Sequence, residues 1–343
     1  MRAAFALCAF VHSLSGPVSA QETVNIVALV PGEGQLRDKF LGTEQRLESG
    51  WGAPVDVVLL IDGQVGTEES MATTVRRGRA HISMLSTPGI SAAIPELSLL
   101  MSPYLFDSFE EADFVLDTHV EPMVREMFTD KGLTFLHWID SGWFNVFSQS
   151  PIRVPADAAG LRMRAAGGPA ARAFLQAIGA DVAQLPFADL VPGLQTGMLA
   201  GGATNTAMYR TVSLYELAPY ITLTRHGLNP GAVFANKVWL EGLTGVQQET
   251  VKLGISPTWK VRADVRAEGE DALAYSAAHG ATVLELTPNE RALWKAAAAG
   301  THRALIDEIG GDAARLYDLI QEGKSAFAAG VSGIGADDST ASR

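Results

Sequence analysis

With 343 residues, a formal net charge of −12 and 47% hydrophobic side chains, the chain is long enough for two domains with real cores. It is too acidic to bind nucleic acid or anionic lipid through bulk charge. Its charges are mixed through the sequence rather than blocked, and the single cysteine, Cys8, excludes a disulfide within the chain.

Residues 1–20 read as an export signal. Arg2 precedes an apolar stretch from Ala3 to Val11, followed by Ser13, Gly16, Pro17 and a small-residue cleavage site, Val18-Ser19-Ala20, before Gln21. The apolar stretch is too short to span a bilayer. Cleavage near Ala20 removes Cys8, so thiolate catalysis and cysteine metal ligands are not expected, and the destination is a bacterial periplasm.

Val24 to Val30 reads as a buried strand, and Pro31-Gly32-Glu33-Gly34 leads into a helix carrying Leu36, Phe40, Leu41 and Leu47. Val55 to Ile61 is a second strand; Thr67 caps the next helix, with Glu68 in its first turn; Ala80 to Leu85 is a third strand running into Ser86-Thr87-Pro88. This β-α-β-α-β order implies a parallel sheet covered on both faces. Pro95 to Phe106 reads as a crossing segment, Phe109 to Asp130 as a helix capped by Ser108, and Leu133–Trp138 and Gly142–Ser148 as two extended runs. Pro151 to Ala159 connects to a second unit of the same logic: a strand ending at Arg164, a helix to Gly179, a strand Asp181–Leu185, a helix Phe187–Gly197, a strand Met198–Ala203 and a helix Thr206–Ala218. Ile221–Leu223 and Val233–Asn236 read as separate extended returns. Helices dominate thereafter, apart from a strand at Thr282–Leu286 and a capping box at Thr287-Pro288-Asn289-Glu290; Gly330 to Arg343 reads as a disordered tail.

Arg164 is the most informative single residue. It ends the run Gly160-Leu161-Arg162-Met163-Arg164 and precedes the small loop Ala165-Ala166-Gly167-Gly168-Pro169, at a strand's carboxyl end where α/β sheets bind ligands. A guanidinium there offers a planar, permanently charged fork for a carboxylate; the competing role is a salt bridge to Glu68 or Asp189. Enzyme signatures are thin. The histidines show no metal-ligand spacing, no Gly-x-Ser-x-Gly elbow or P-loop is present, and Arg37 leaves the Gly32-x-Gly34 fingerprint incomplete, so neither cofactor nor metal is expected. A hydrolase or isomerase remains the enzymatic alternative for an α/β cleft.

The motifs Gly160–Arg164, Ile178-Gly179-Ala180, Leu185-Pro186-Phe187, Leu194–Gly197, Leu214–Leu217 and Tyr220–His226, in that order, resemble the extracytoplasmic solute receptors of TRAP transporters, the DctP-like periplasmic binding proteins. The resemblance runs from about Val24 to about Phe327. It implies an α/β two-lobe periplasmic binding protein fold, each lobe a mixed sheet flanked by helices, with hinge strands and a long bridging helix. The expected layout is a signal peptide at 1–20, lobe I at 21–145 with part of 235–275, lobe II at 146–234 with 276–327, and a flexible tail at 328–343. The implied function is capture of a small organic acid anion in the interlobe cleft and delivery to the TRAP membrane subunits by a monomeric receptor. An ABC-type or sensory binding protein is the nearest alternative.

The resemblance also assigns Arg164 to the ligand carboxylate, Phe187 to the aromatic that packs on bound ligand, and Glu68 and Ser86 to the cleft wall of the first lobe. Asn145, Thr204 and Asn205 are candidate donors to ligand oxygens, and Trp143 and Phe144 are candidate cleft aromatics. Two departures from the family pattern stand out: Gly142-Trp143-Phe144 where many members carry a second arginine, and Leu199–Asn205 where many read Val-Asp-Gly-Gln-Glu-Asn. Both remove polar groups, which points to one firmly held carboxylate and an otherwise apolar or neutral ligand.

Overall fold

A computed structural model describes residues 22–28, 35–61, 64–254 and 258–330. The export signal, the Pro31–Gly34 loop, Asp62-Gly63 and all of the tail beyond Gly330 lie outside these residues.

Among the described residues, nine strands form one mixed sheet, in the spatial order Val55–Leu60 (β2), Glu22–Ala28 (β1), Ile82–Ser86 (β3), Tyr220–Asn236 (β8), Leu133–Ser148 (β4), Gly201–Thr204 (β7), Arg162–Ala165 (β5) and Asp181–Gln184 (β6), with Thr282–Leu284 (β9) added beside β8. The first half is β1 (Glu22–Ala28), β2 (Val55–Leu60) and β3 (Ile82–Ser86); β1 pairs in parallel with both others. The near-continuous apolar runs of β1 and β2 suit a sheet buried on both faces. The second half is β5 (Arg162–Ala165), β6 (Asp181–Gln184) and β7 (Gly201–Thr204), again parallel about a central β5.

Two long strands join the halves. The two extended runs expected around residues 133–148 are one 16-residue strand, β4 (Leu133–Ser148), and the two returns expected after 220 are one 17-residue strand, β8 (Tyr220–Asn236). They pair antiparallel along their length, β8 reaching across to β3 and β4 to β7, while the short β9 (Thr282–Leu284) lies parallel to β8. Register slips at Asp140/Trp143 and Phe144/Val146 mark the passage between halves. There Phe144 faces Gly227 and Val146 faces Thr222, so β8 carries extra residues that bulge out of the ladder.

The bulge hid the strand from sequence reading, because its polar Thr224, Arg225 and His226 break the apolar pattern. It is held from several sides. Asn145 Oδ1 accepts the Arg225 N–H at 3.0 Å, and Arg291 donates to the Thr224 and Leu223 carbonyls, each at 3.0 Å. His226 stacks on Phe174 with ring centres 3.7 Å apart, and its Nδ1 lies 2.8 Å from the Thr224 hydroxyl.

Several helices also differ from expectation. Phe109–Asp130 is continuous but contains a π-helical turn at Leu116–Val120; the Ser108 hydroxyl caps it, accepting the Glu111 N–H. Thr206–Ala218 is broken into Thr206–Thr211 and Leu214–Leu217 by Ser213, which takes a left-handed φ of 50°. Thr67 precedes its helix without a side-chain capping bond, whereas the Thr287/Glu290 capping box forms as expected.

The 21-residue helix Thr258–Ala278 bridges the halves. Near its start Arg262 pairs with Asp113 and Asp117, and Arg266 pairs with Asp113 and the buried Asp140 of β4. Farther along it meets the second half through a hydrogen bond and a cation–π contact: Thr206 Oγ1 donates to the Gly269 carbonyl at 2.8 Å, and the Arg210 guanidinium lies over the Tyr275 ring at 4.2 Å. No helix of the described residues is long and apolar enough to cross a membrane.

Candidate functional site

Arg164 stands near the carboxyl end of β5, opposite Ala183 of β6 and Gly202 of β7. It is 6% exposed. Its Nε donates to the Leu185 carbonyl at 3.0 Å, and the guanidinium carbon lies 5.4 Å from the centre of the half-buried Phe187 ring. Neither Glu68 nor Asp189 forms the alternative salt bridge. The two terminal nitrogens have no acceptor among the described residues, so the fork is anchored at one edge and open at the other. Burial pulls the guanidinium down to about 10, with the Glu69 carboxylate acting weakly in the opposite direction. It stays cationic at neutral pH, in a place where an unpaired charge is costly.

The two halves approach one another at the loop after β5. A Cβ placed on Gly167 would stand 3.0 Å from Glu69 Oε1 and 3.5 Å from Pro88 Cβ, both from the first half. A side chain there would have to push the Glu69 carboxylate aside. The next residue, Gly168, takes φ 93°, a conformation glycine adopts freely, and starts the helix Pro169–Ala177. Glu69 and Pro88 carry no motif of their own, and their contribution was not read from sequence.

Glu68 and Ser86 are brought together with each other. The Glu68 carboxylate accepts the Ser86 N–H at 2.6 Å and the Ser86 hydroxyl at 2.7 Å. Desolvation raises the Glu68 pKa, and the Ser86 bonds oppose that rise. The pair ties the start of the second helix to the end of β3, which fixes this wall of the first half.

The remaining candidates divide by strand parity, since successive side chains of a strand face opposite ways. Phe144, buried, joins the apolar cluster that includes Ala166, Ala170, Ala203 and Leu228, next to the Arg164 loop. Trp143 and Asn145 have the opposite parity and line a separate cavity of about 470 Å³ against the bridging helix. Thr204 is buried directly across from Asn145. Asn205 caps the helix Thr206–Thr211, its Oδ1 accepting the Met208 N–H at 2.8 Å. Arg164 pairs with Gly202 of β7, so by parity it shares a sheet face with Thr204 and with Thr204's partner Asn145, whereas Phe144 has the opposite parity and packs with Ala166, Ala170 and Ala203. The structure therefore gathers Arg164 and Phe187 at the carboxyl end of β5, with Glu68 and Ser86 forming a braced wall in the facing half.

An arginine fork with a free edge and an aromatic ring beside it is suited to hold a carboxylate end-on while the ligand body lies on carbon.

Comparison with known proteins agrees with this architecture. The 2,3-diketo-L-gulonate-binding periplasmic protein YiaO of Escherichia coli (strain K12) is 28% identical over 194 residues, 56% of this chain and 59% of that protein, so the aligned stretch is less than two thirds of that relative. The C4-dicarboxylate-binding periplasmic protein DctP of Rhodobacter capsulatus is 25% identical over 307 residues, 88% of this chain and 91% of that one. A TRAP periplasmic solute-binding protein from Sulfitobacter sp. NAS-14.1, solved with bound β-D-galacturonate, superposes with a TM-score of 0.82 at 19% identity, covering 88% of this chain and 100% of that chain, a likeness of fold. The family model described as bacterial extracellular solute-binding protein, family 7 (DctP) matches residues 43–308. With that match over most of its length, the chain belongs to family 7 of the bacterial extracellular solute-binding proteins, the DctP family.

Proposed function

We propose that this protein is the periplasmic receptor of a TRAP transporter, binding a small organic acid anion between its two halves and delivering it to the membrane subunits without chemical change. The observation that carries the reading is the buried Arg164 fork with two unengaged terminal nitrogens beside Phe187. In this mechanism the ligand carboxylate completes the fork and Phe187 covers part of the ligand body. Phe144 stands where many relatives carry a second arginine, so no second cation is offered to the ligand there. The Glu68–Ser86 pair keeps the facing wall rigid. Ligand bridges the halves and shifts an open–closed equilibrium, β4, β8 and the bridging helix serving as the hinge.

The lobes of this mechanism are residues 21–145 with part of 235–275, and 146–234 with 276–309; the helix Ala313–Ala328, expected with the second lobe, goes with the first, since Lys324 bonds the Leu105 carbonyl and Glu111 and Phe327 meets Phe114. The mature receptor resides in the periplasm after cleavage near Ala20 and acts as a monomer. The related proteins bind a diketo sugar acid, C4-dicarboxylates and a uronate. The ligand class proposed here is narrower: an acid presenting one carboxylate to Arg164, with the rest of the molecule neutral.

A thermal-shift screen across monocarboxylates, dicarboxylates and sugar acids tests this, because binding to the folded state alone raises Tm by mass action. Saturable binding of a monocarboxylate by calorimetry, with the acid recovered unchanged, is the expected result. Recovery of a chemically altered acid would overturn the receptor reading, and a uniform preference for dicarboxylates would overturn the single-carboxylate reading.

A further inference from the structure

The cavity lined by Trp143 and Asn145 lies behind the hinge, and Arg164 does not border it. Its walls come from every part that a hinge motion would displace: Tyr104 from the first half, β4, Arg225 of the β8 bulge, Ala207 and Arg291 from the second half, and the bridging helix.

Three independent observations converge on this cavity. The first is strain. Among the described residues three non-glycine residues have a positive φ, and two of them, Tyr104 (φ 56°) and Arg225 (φ 45°), line it. Each such conformation is strained and persists where its surroundings over-determine it, commonly at ligand sites. Here the Tyr104 N–H is held by the His226 carbonyl at 2.6 Å and the Arg225 N–H by Asn145 Oδ1.

The second is an excess of donors. The Tyr104 hydroxyl is buried without a hydrogen-bond partner. Arg225 and Arg291 line the cavity without a carboxylate partner among the described residues; Arg291 is engaged only with two carbonyls. Of the acidic residues around it, Asp107 is neutralised by Lys295 at 2.7 Å and Lys324 at 3.4 Å. Glu110 is exposed, its charge screened by solvent and by Arg266. Glu270 is exposed. The third observation is an aromatic wall, Trp143 lying 5.3 Å from Phe109.

We propose that this cavity is a second ligand site, taking a small monoanion with an aromatic body, a carboxylate meeting Arg225, Arg291 and Tyr104 while the ring lies against Trp143. Because its walls belong to both halves, its occupancy is coupled to the hinge angle, and so reciprocally to affinity in the cleft. The site stands independently of the cleft reading; the coupling rests on it.

Phenylacetate, with 2-phenylethanol as its neutral counterpart, tests the site by calorimetry on the full-length Arg164→Ala protein, in which the cleft arginine is already gone. Arg164→Met serves if the alanine variant does not fold. Saturable phenylacetate binding is expected, with the alcohol at least fivefold weaker. Arg225→Gln should weaken phenylacetate about fivefold, the scale of a partly exposed charge contact. Ala207→Trp, which fills the cavity, should remove binding. Binding by the wild type that vanishes in both Arg164 variants would put the probe in the cleft and overturn the proposal. Equal affinity in Arg225→Gln, or no saturation in any protein, would do the same. A radius of gyration unchanged by saturating phenylacetate would remove the coupling and leave the site.

Discussion

Replacing Arg164 by methionine separates a ligand hook from a structural pillar, because the two roles predict opposite signs. Arg164 is 6% exposed, and burial lowers its pKa from 12.5 to about 10. At 1.36 kcal/mol per unit this is a cost of about 3 kcal/mol for holding the charge inside the fold. Its bond to the Leu185 carbonyl returns about 1.5–3 kcal/mol. The terms nearly cancel, so ligand-free Arg164→Met should unfold within a few degrees of the wild type. Binding should behave differently. Two charge-assisted bonds from the terminal nitrogens to a carboxylate are worth about 3–5 kcal/mol, a loss of a few hundredfold to a few thousandfold in affinity. Arg164→Lys keeps the charge without the fork and should fall between. The assays are calorimetry with the acid found in the screen and thermal unfolding without it. A variant that loses many degrees of Tm while keeping its affinity would refute the reasoning and make Arg164 a pillar.

Arg266→Met leaves the buried Asp140 without its cation and should destabilise the protein by about 3 kcal/mol, with Asp140→Leu in the same chain recovering part of the loss in urea titrations. A Cβ on Gly231 would meet the Leu85 carbonyl oxygen and stand 2.7 Å from Ile139 Cγ1, so Gly231→Ala should cost about 1–3 kcal/mol and lower Tm by several degrees; an unchanged Tm would mean that β3, β8 and β4 pack more loosely than described. His226 is buried and held neutral, its pKa depressed from 6.5 to about 3. As pH falls below 6.5 the unfolded chain takes up a proton that the folded one refuses, so stability present above 6.5 is lost progressively toward 3, by about 3 kcal/mol near pH 4.5. His226→Phe keeps the stack on Phe174 and should flatten that acid limb; superimposable wild-type and variant profiles would show that other groups set it.

Much of the alternating β and α order was readable because the strands are short apolar runs closed by glycine or proline and the helices carry recognisable caps. Ser108 and the Thr287 capping box are examples. Arg164 was readable for the same reason, a brief strand meeting a run of small residues. The continuity of β4 and β8 was not, because a strand with a bulge loses its period-two signature where the chain bends. The division of candidates between two faces was within reach of the sequence: Trp143, Phe144 and Asn145 are consecutive, and no extended strand can aim all three into one cleft. Asn205, next to Thr206 at a helix start, carried its capping role openly. The mutual bonding of Glu68 and Ser86 was beyond reach, since it depends on tertiary proximity between a helix start and a strand end.

The interlacing of β8 with the first half sets the order in which the molecule can form. Ile82 to Ser86 find their partners at Gly231 to Ala235, roughly 150 residues later, a closure whose entropic cost grows slowly with length but must be met before the contacts form. The first half therefore has no finished sheet until most of the chain is present. A fragment ending before Tyr220 lacks both its β3 partner and the long partner of β4. Such a chain stays uncommitted through most of its synthesis, a state compatible with crossing a membrane before it folds.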